Sequence, residues 1–209
     1  MKTTVKKMDY DQVMALPRGK HWTPKKPNLF WRSLVRAISG LGMGGCKLDA
    51  TVEGLDQIPN DEPCLILMNH SSFIDMEIAS RIFFPRRYGI VTTSDSFVGP
   101  LMRWLMPLIG CIPTQKFVSD IGLIRDMQYM LKEKKTSVLM YPEASYSFDG
   151  TATPLPRKMG ILLKKLGVPV VTVITHGAFA RQPLYNCLKK RKVKVSADVT
   201  CLFTAEDLK

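Results

Sequence analysis

The chain has 209 residues, 45% of them hydrophobic, which suits one large domain and excludes a largely disordered polypeptide. Thirty Lys plus Arg against 18 Asp plus Glu leave a net charge of +12. That excess favours anionic partners: nucleic acid, an anionic membrane face or phosphorylated substrates. The five cysteines are scattered, odd in number and form no C-x-x-C pair, so a metal centre is not expected and buried free thiols in a reducing cytosol are.

Residues 1–28 are basic and interrupted by Pro17, Pro24 and Pro27, and read as an irregular lead-in. They contain no apolar h-region of a signal peptide, and no run in the chain reaches the roughly eighteen apolar residues of a membrane-crossing helix. A bilayer, if met, is met from its surface, and the expected place is peripheral, on the cytoplasmic face of a membrane. Leu29–Met43 predicts an amphipathic helix with Leu29, Phe30, Leu34, Ile38 and Leu41 as its apolar set and Arg32, Arg36 and Ser39 as polar positions. Two readings stay open for it: a helix packed on the core, or one lying in a membrane interface with Phe30 and Trp31 as anchors. Residues 1–47 are taken as this lead-in and helix, and residues 48–209 as the main domain.

Leu48–Val52 predicts a strand. Cys64–Met68 is a continuous apolar run that suits a strand buried on both faces. Ser72 then reads as the cap of a helix from Phe73 to Phe84, stopped by Pro85. Tyr88–Thr92 predicts a strand. Phe97–Ile109 is apolar almost all round, as in a segment that is buried, lines a pocket or faces lipid. Cys111–Pro113 reads as a short turn of chain, and about Ser119–Lys134 as a helix with Ile124, Met127 and Leu131 on one stripe. Ser137–Tyr141 predicts a strand and 144–156 a loop. Arg157–Leu166 predicts a helix ended by Gly167, and Val168–Thr175 and Val193–Val199 are further strands. Strands alternating with helices define an α/β fold: a mixed central sheet flanked by helices on both faces, with the amphipathic helix at the N-terminus. At the end, Thr204–Asp207 resembles the start of a helix just before Lys209, as if the chain were truncated.

In such sheets, sites gather beyond the carboxyl ends of strands. His70 and Asp75 stand five residues apart after the Cys64–Met68 run. A histidine beside a carboxylate can serve as a general base near neutral pH. Ser72–Asp75 also fits a capping box, so Asp75 has a structural reading beside the chemical one. Two further strand ends carry polar residues: Gly110–Lys116, and Pro142, Glu143, Ala144, Ser145 and Tyr146. Ser145 is not flanked by glycines and is no nucleophile elbow. His176, before Gly177 at another strand end, is a reserve candidate. The basic run Lys189–Lys194 suits a solvated face or contact with anionic headgroups.

These blocks in this order resemble the glycerolipid acyltransferase family, whose best-known members acylate lysophosphatidic acid. His70…Asp75 matches its H-x-x-x-x-D motif, Gly110…Lys116 its G-x-I-P-x-x-R type block, Pro142…Ser147 its P-E-G-T-R-S type block, and Val168-Pro169-Val170 its V-P-V strand. The resemblance covers about residues 48–180. It implies transfer of a fatty acyl group from acyl-CoA or acyl carrier protein to the hydroxyl of lysophosphatidic acid or a related lysoglycerolipid. His70 would be general base and Asp75 would orient it, while Lys116, Glu143 and Ser145 would lie on the substrate side; Arg157 and Lys158, outside the matched blocks, are added there as candidates to replace lost positive charge. No cofactor and no metal are implied beyond the thioester co-substrate, and the partners are an anionic membrane surface, the lysolipid and the acyl carrier.

This chain departs from the family pattern in two blocks: besides the two positions that follow, Ala144 and Ser145 stand where Gly and Thr are usual. Lys116 replaces the usual Arg, keeping charge but losing the bidentate fork, and Tyr146 replaces another Arg and loses the charge. A non-phosphate alcohol acceptor is therefore the rival within enzymes. A basic lipid- or nucleic-acid-binding protein without turnover is the rival outside them. Nucleic acid is not expected as a partner, because the basic residues lack interleaved aromatics.

Overall fold

The computed structural model describes residues 9, 11, 23–44, 46–97, 99–115 and 120–208. Helix α1 (Leu29–Gly42) leads into strand β1 (Cys46–Glu53). There follow β2 (Leu65–Met68), α2 (Asp75–Ile82), β3 (Tyr88–Thr93), α3 (Pro100–Leu108), β4 (Cys111–Thr114), α4 (Ile121–Gln128), β5 (Ser137–Met140), α5 (Met159–Leu166), β6 (Val170–His176) and β7 (Val193–Phe203). The seven strands lie in the order β1-β7-β6-β2-β5-β3-β4. Only the β6–β7 pair is antiparallel, so β1 and β7 run against the other five. The carboxyl ends of β2, β5 and β6 and the starts of β1 and β7 thus share one end of the sheet.

Hydrophobic periodicity explains which strands sit inside. All four side chains of β2 are buried, as a continuous apolar run requires when helices cover both faces. Ile66 and Met68 meet α2 through Ile74, Ile78 and Phe83, in a cluster with Val171, Val173, Val195, Ala197 and Val199. Leu65 and Leu67 face the other way, onto Met127, Met130 and Leu131 beside Leu163 and Leu166 of α5. The mixed sheet with helices on both faces is therefore the observed fold. β7 alternates buried and exposed residues because no described helix covers its second face. Leu139 of β5 is fully buried between these layers. Leu139→Ala should lower unfolding free energy by about 2–5 kcal/mol, read from urea titration against the wild type.

Several expectations change. Cys111–Thr114 is a strand, not a turn: Pro113 is admissible because β4 is the sheet edge, paired only with β3. The helix expected over 119–134 is α4 capped by the Asp120 carboxylate on Leu123 N–H at 3.0 Å, continued by a π turn over Tyr129–Glu133. Most of the irregular lead-in lies outside the described residues, which include only 9, 11 and 23–28 of it. α2 starts at Asp75, and Ser72 does not cap it through its hydroxyl.

The largest surprise is the orientation of α1. Its polar side faces the protein: Arg32 is 4% exposed with its guanidinium 3.6 Å above the Tyr88 ring, and buried Ser39 meets Ser80 Oγ at 3.2 Å. Its apolar set faces out, with Phe30 66%, Ile38 57% and Leu41 82% exposed. Packing on the core through the apolar stripe is thus excluded, because polar partners on α2 and β3 claim the opposite side of the helix.

Candidate active site

β2 ends at Met68, and the chain turns across the end of the sheet before α2 begins at Asp75. This short span brings the His70 ring back onto the first helical residue. His70 Nδ1 lies 3.0 Å from Asp75 Oδ2. The same carboxylate oxygen accepts the Ser71 N–H at 2.8 Å and the Ser72 N–H at 2.9 Å, while Oδ1 accepts the Ser71 hydroxyl at 3.1 Å. The two readings of Asp75 therefore describe one group. Its bond to Ser72 N–H is the returning half of a capping box, and its bond to the ring makes Nδ1 the protonated nitrogen. Asp75 is 1% exposed, so these four donors are what compensates its burial.

A second layer fixes the turn itself. Asn69 accepts the Thr175 N–H at 2.8 Å and donates to the Thr175 carbonyl at 3.0 Å, tying the end of β2 to β6. Thr175 Oγ1 then touches Ser71 Oγ at 2.9 Å. Ser147 N–H donates to the His70 carbonyl at 2.8 Å, which pins the loop after β5 to the same point.

That loop contributes an aromatic stack. The His70 ring lies between Tyr141, 4.0 Å away and 17° from parallel, and Tyr146, 3.9 Å away at 35°; Phe73 stacks on the far side of Tyr146 at 4.5 Å. Both faces of the imidazole are covered, leaving an in-plane approach to Nε2, which has no hydrogen-bond partner among the described residues. Desolvation, together with the charges of Asp75, Glu77 and Asp95, pushes the Tyr146 phenol up to about 12, so it is neutral. Burial, reinforced by Asp75, also raises the Glu77 carboxyl above its usual range. Sequence reasoning missed the stack. Tyr146 stood out as a departure from the family pattern, but no local signal says that it covers an imidazole in an earlier segment.

The remaining candidates are less gathered. Lys116 lies outside the described residues. Glu143 sits in the turn after β5 and accepts from Thr153 N–H and Oγ1 at 3.4 Å each. Ser145 is exposed, and its hydroxyl donates to the Glu143 carbonyl at 3.4 Å. Arg157 and Lys158 stand exposed before α5 and make no hydrogen bond or ion pair with His70 or Asp75. His176 turns to the opposite face from Thr175, as strand alternation demands, and pairs there with Asp198 at 3.1 Å. Among the described residues, no group of three or more His, Cys, Asp or Glu side chains is placed to hold a metal ion.

An imidazole anchored at Nδ1 by a buried carboxylate, with no side-chain nucleophile bonded to Nε2 among the described residues, suits an α/β transferase or hydrolase that deprotonates an external hydroxyl. The chain belongs to the Acyltransferase family, whose model matches residues 49–176, more than half of its length. It is similar to a chloroplastic 1-acyl-sn-glycerol-3-phosphate acyltransferase of Brassica napus, at 30% identity over 60% of this chain and 37% of that protein. A 1-acyl-sn-glycerol-3-phosphate acyltransferase of Saccharomyces cerevisiae shares 28% identity over 61% of this chain and 43% of its own. The match thus spans less than half the length of either relative. The fold resembles the crystal structure of the 1-acyl-sn-glycerophosphate (LPA) acyltransferase PlsC from Thermotoga maritima, with a TM-score of 0.65 and 17% identity over 84% of this chain and 69% of that one.

Proposed function

We propose that this protein is a membrane-surface acyltransferase that moves a fatty acyl group from a thioester carrier, acyl-CoA or acyl carrier protein, to the hydroxyl of lysophosphatidic acid or a related lysoglycerolipid. The observation that carries this reading is the His70–Asp75 contact inside an Acyltransferase-family domain. In the proposed mechanism Nε2 takes the acceptor's hydroxyl proton as the oxygen attacks the thioester carbonyl, and Asp75 stabilises the imidazolium that forms. The thiolate of the carrier leaves, and the proton held on His70 returns to it. Lys116, Glu143, Ser145, Arg157 and Lys158 are proposed to line the acceptor side.

A second acceptor reading has a specific support. Where the family pattern carries an arginine, neutral Tyr146 covers one face of the general base, tilted 35° to its ring, with carboxylates around it. This favours a headgroup without a free phosphate monoester. A panel of lysolipids and non-phosphate alcohols, offered with acyl-CoA and acyl carrier protein thioester, tests both readings. Acyl transfer to at least one acceptor is expected, and none with any pair overturns the proposal.

Peripheral membrane contact is proposed to run through α1 and α3. No described helix is long and apolar enough to cross a membrane. Trp31 meets Trp104 edge-on at 5.8 Å, which joins the outward apolar stripe of α1 to exposed Leu101 and Trp104 of α3. Of the readings open for the Phe97–Ile109 segment, this exposure favours the lipid-facing one. The net charge of +12 fits an anionic leaflet, on the cytoplasmic face in this reading. Phe30→Glu with Ile38→Glu should cut retention on anionic vesicles about tenfold or more, in flotation assays, without lowering the thermal midpoint, because the lost term is apolar insertion rather than core packing.

A further inference from the structure

The end of the sheet that holds His70 continues, two strands away, into a set of lysines that the acyl-transfer chemistry above does not use. Lys47 of β1 and Lys194 of β7 are register partners in a parallel pair, so their side chains leave the same face side by side. Like charges so placed repel each other. Neither forms an ion pair with the described residues. Lys192, just before β7, joins them around one depression, and a second of about 660 Å³ adjoins it, lined by Lys47, Lys194, His176, Gly177, Asp49 and Ser196 among others. Asp49 is one carboxylate on this face; Asp198 is another, and it is taken by His176.

Strand alternation decides which way this surface looks. Val173 and Val195 pack in the cluster with α2, and Thr175 touches Ser71 on that same face. Lys194 and His176, one residue out of phase, emerge on the opposite face, which no described helix covers at β1 and β7. The outward apolar stripe of α1 belongs to the α2 side. A bilayer that meets α1 therefore leaves the lysines in water, and their anion arrives from solution. The lysines nonetheless lie at the same end of the sheet as the chemistry: Lys194 on β7 is two strand spacings from β2, about 10 Å laterally, and Lys47 on β1 is three, about 14 Å.

We propose that Lys47, Lys192 and Lys194 bind the phosphate of the water-borne acyl-thioester carrier, the phosphopantetheine phosphate shared by acyl-CoA and acyl carrier protein, and so set the side from which the donor reaches His70. The site rests on the acyl-transfer reading for its role but on the lysine geometry for its existence. An anion there relieves a repulsion that the fold otherwise carries.

The test is Lys47→Gln with Lys194→Gln in the whole 209-residue chain. The expected result is a donor KM raised about tenfold, as loss of a charge-assisted contact predicts, with acceptor KM, kcat and vesicle retention unchanged and the thermal midpoint no lower. Lys192→Gln, outside any strand, should move donor KM in the same direction by less. The wild-type donor KM should rise with salt more steeply than that of the double variant. An effect on both donors supports the shared phosphate, whereas an effect on acyl-CoA alone places the nucleotide phosphates there and overturns that assignment. An unchanged donor KM, or a loss of vesicle retention in its place, overturns the proposal. Calorimetric binding of coenzyme A separates this from the acyl-transfer reading. If no substrate pair turns over yet the double variant binds coenzyme A about tenfold more weakly, the enzyme reading fails and the anion site stands. Equal binding by both proteins removes the site.

Discussion

His70→Ala should leave a folded, vesicle-binding protein that transfers acyl groups at least about a hundredfold more slowly, since a positioned general base contributes roughly 10²–10⁴. The ring's role in the fold is confined to its Nδ1 contact with Asp75 and its place between Tyr141 and Tyr146. Each aromatic contact is worth about 0.5–1.5 kcal/mol, so the variant should lose some stability without unfolding. The Ser71 and Ser72 N–H bonds to Asp75 survive, because they do not depend on the imidazole. Steady-state rates at saturating donor and acceptor, alongside circular dichroism, make the comparison. Equal turnover by wild type and His70→Ala would sink the mechanism.

The second large effect comes from Asp75, where two substitutions separate charge from scaffold. Asp75→Asn should reduce kcat about a hundredfold while costing little stability. The asymmetry of the carboxylate explains why. Oδ2 accepts three N–H donors, whereas Oδ1 accepts only the Ser71 hydroxyl. An asparagine oxygen in the Oδ2 position keeps all three. Its amide then donates to Ser71 Oγ, whose hydrogen turns to Thr175 Oγ1, which itself donates to Asn69. The tautomer is preserved, and what is lost is the negative charge that stabilises the imidazolium. Asp75→Ala instead orphans the buried Ser71 and Ser72 N–H groups at about 1–3 kcal/mol each and should unfold at visibly lower urea concentration. If Asp75→Asn retains wild-type kcat, the carboxylate is a cap and not a catalytic partner.

The value of that pair of variants is that the two readings of Asp75 are not alternatives in the folded protein. A first-turn carboxylate is well placed both to collect N–H groups ahead of a helix and to face a histidine five residues earlier, because the intervening turn folds back over the helix start. The structural bonds also serve the chemistry, since they hold Oδ2 against Nδ1 whether or not substrate is bound.

The sequence alone settled whatever depends on neighbours along the chain. The continuous apolar run of β2, the stripe of α5, its glycine stop at Gly167 and the meeting of His70 with Asp75 all follow from short-range periodicity and a turn of a few residues. The order of strands and helices was enough for a mixed sheet covered on both faces. Tertiary structure alone decided what depends on coverage by distant segments. Amphipathic periodicity gives α1 two unlike sides but does not say which one meets the protein; Tyr88 and Ser80 claimed the polar one. Cys111–Thr114 became a strand only because β3 offered it an edge. The imidazole acquired its two tyrosine faces from a loop some seventy residues later, and Lys47 acquired Lys194 as its neighbour from the far end of the chain. Periodicity and short turns are written locally, whereas burial and the hydrogen bonds between distant segments, such as Asn69 with Thr175, exist only once the whole sheet has assembled.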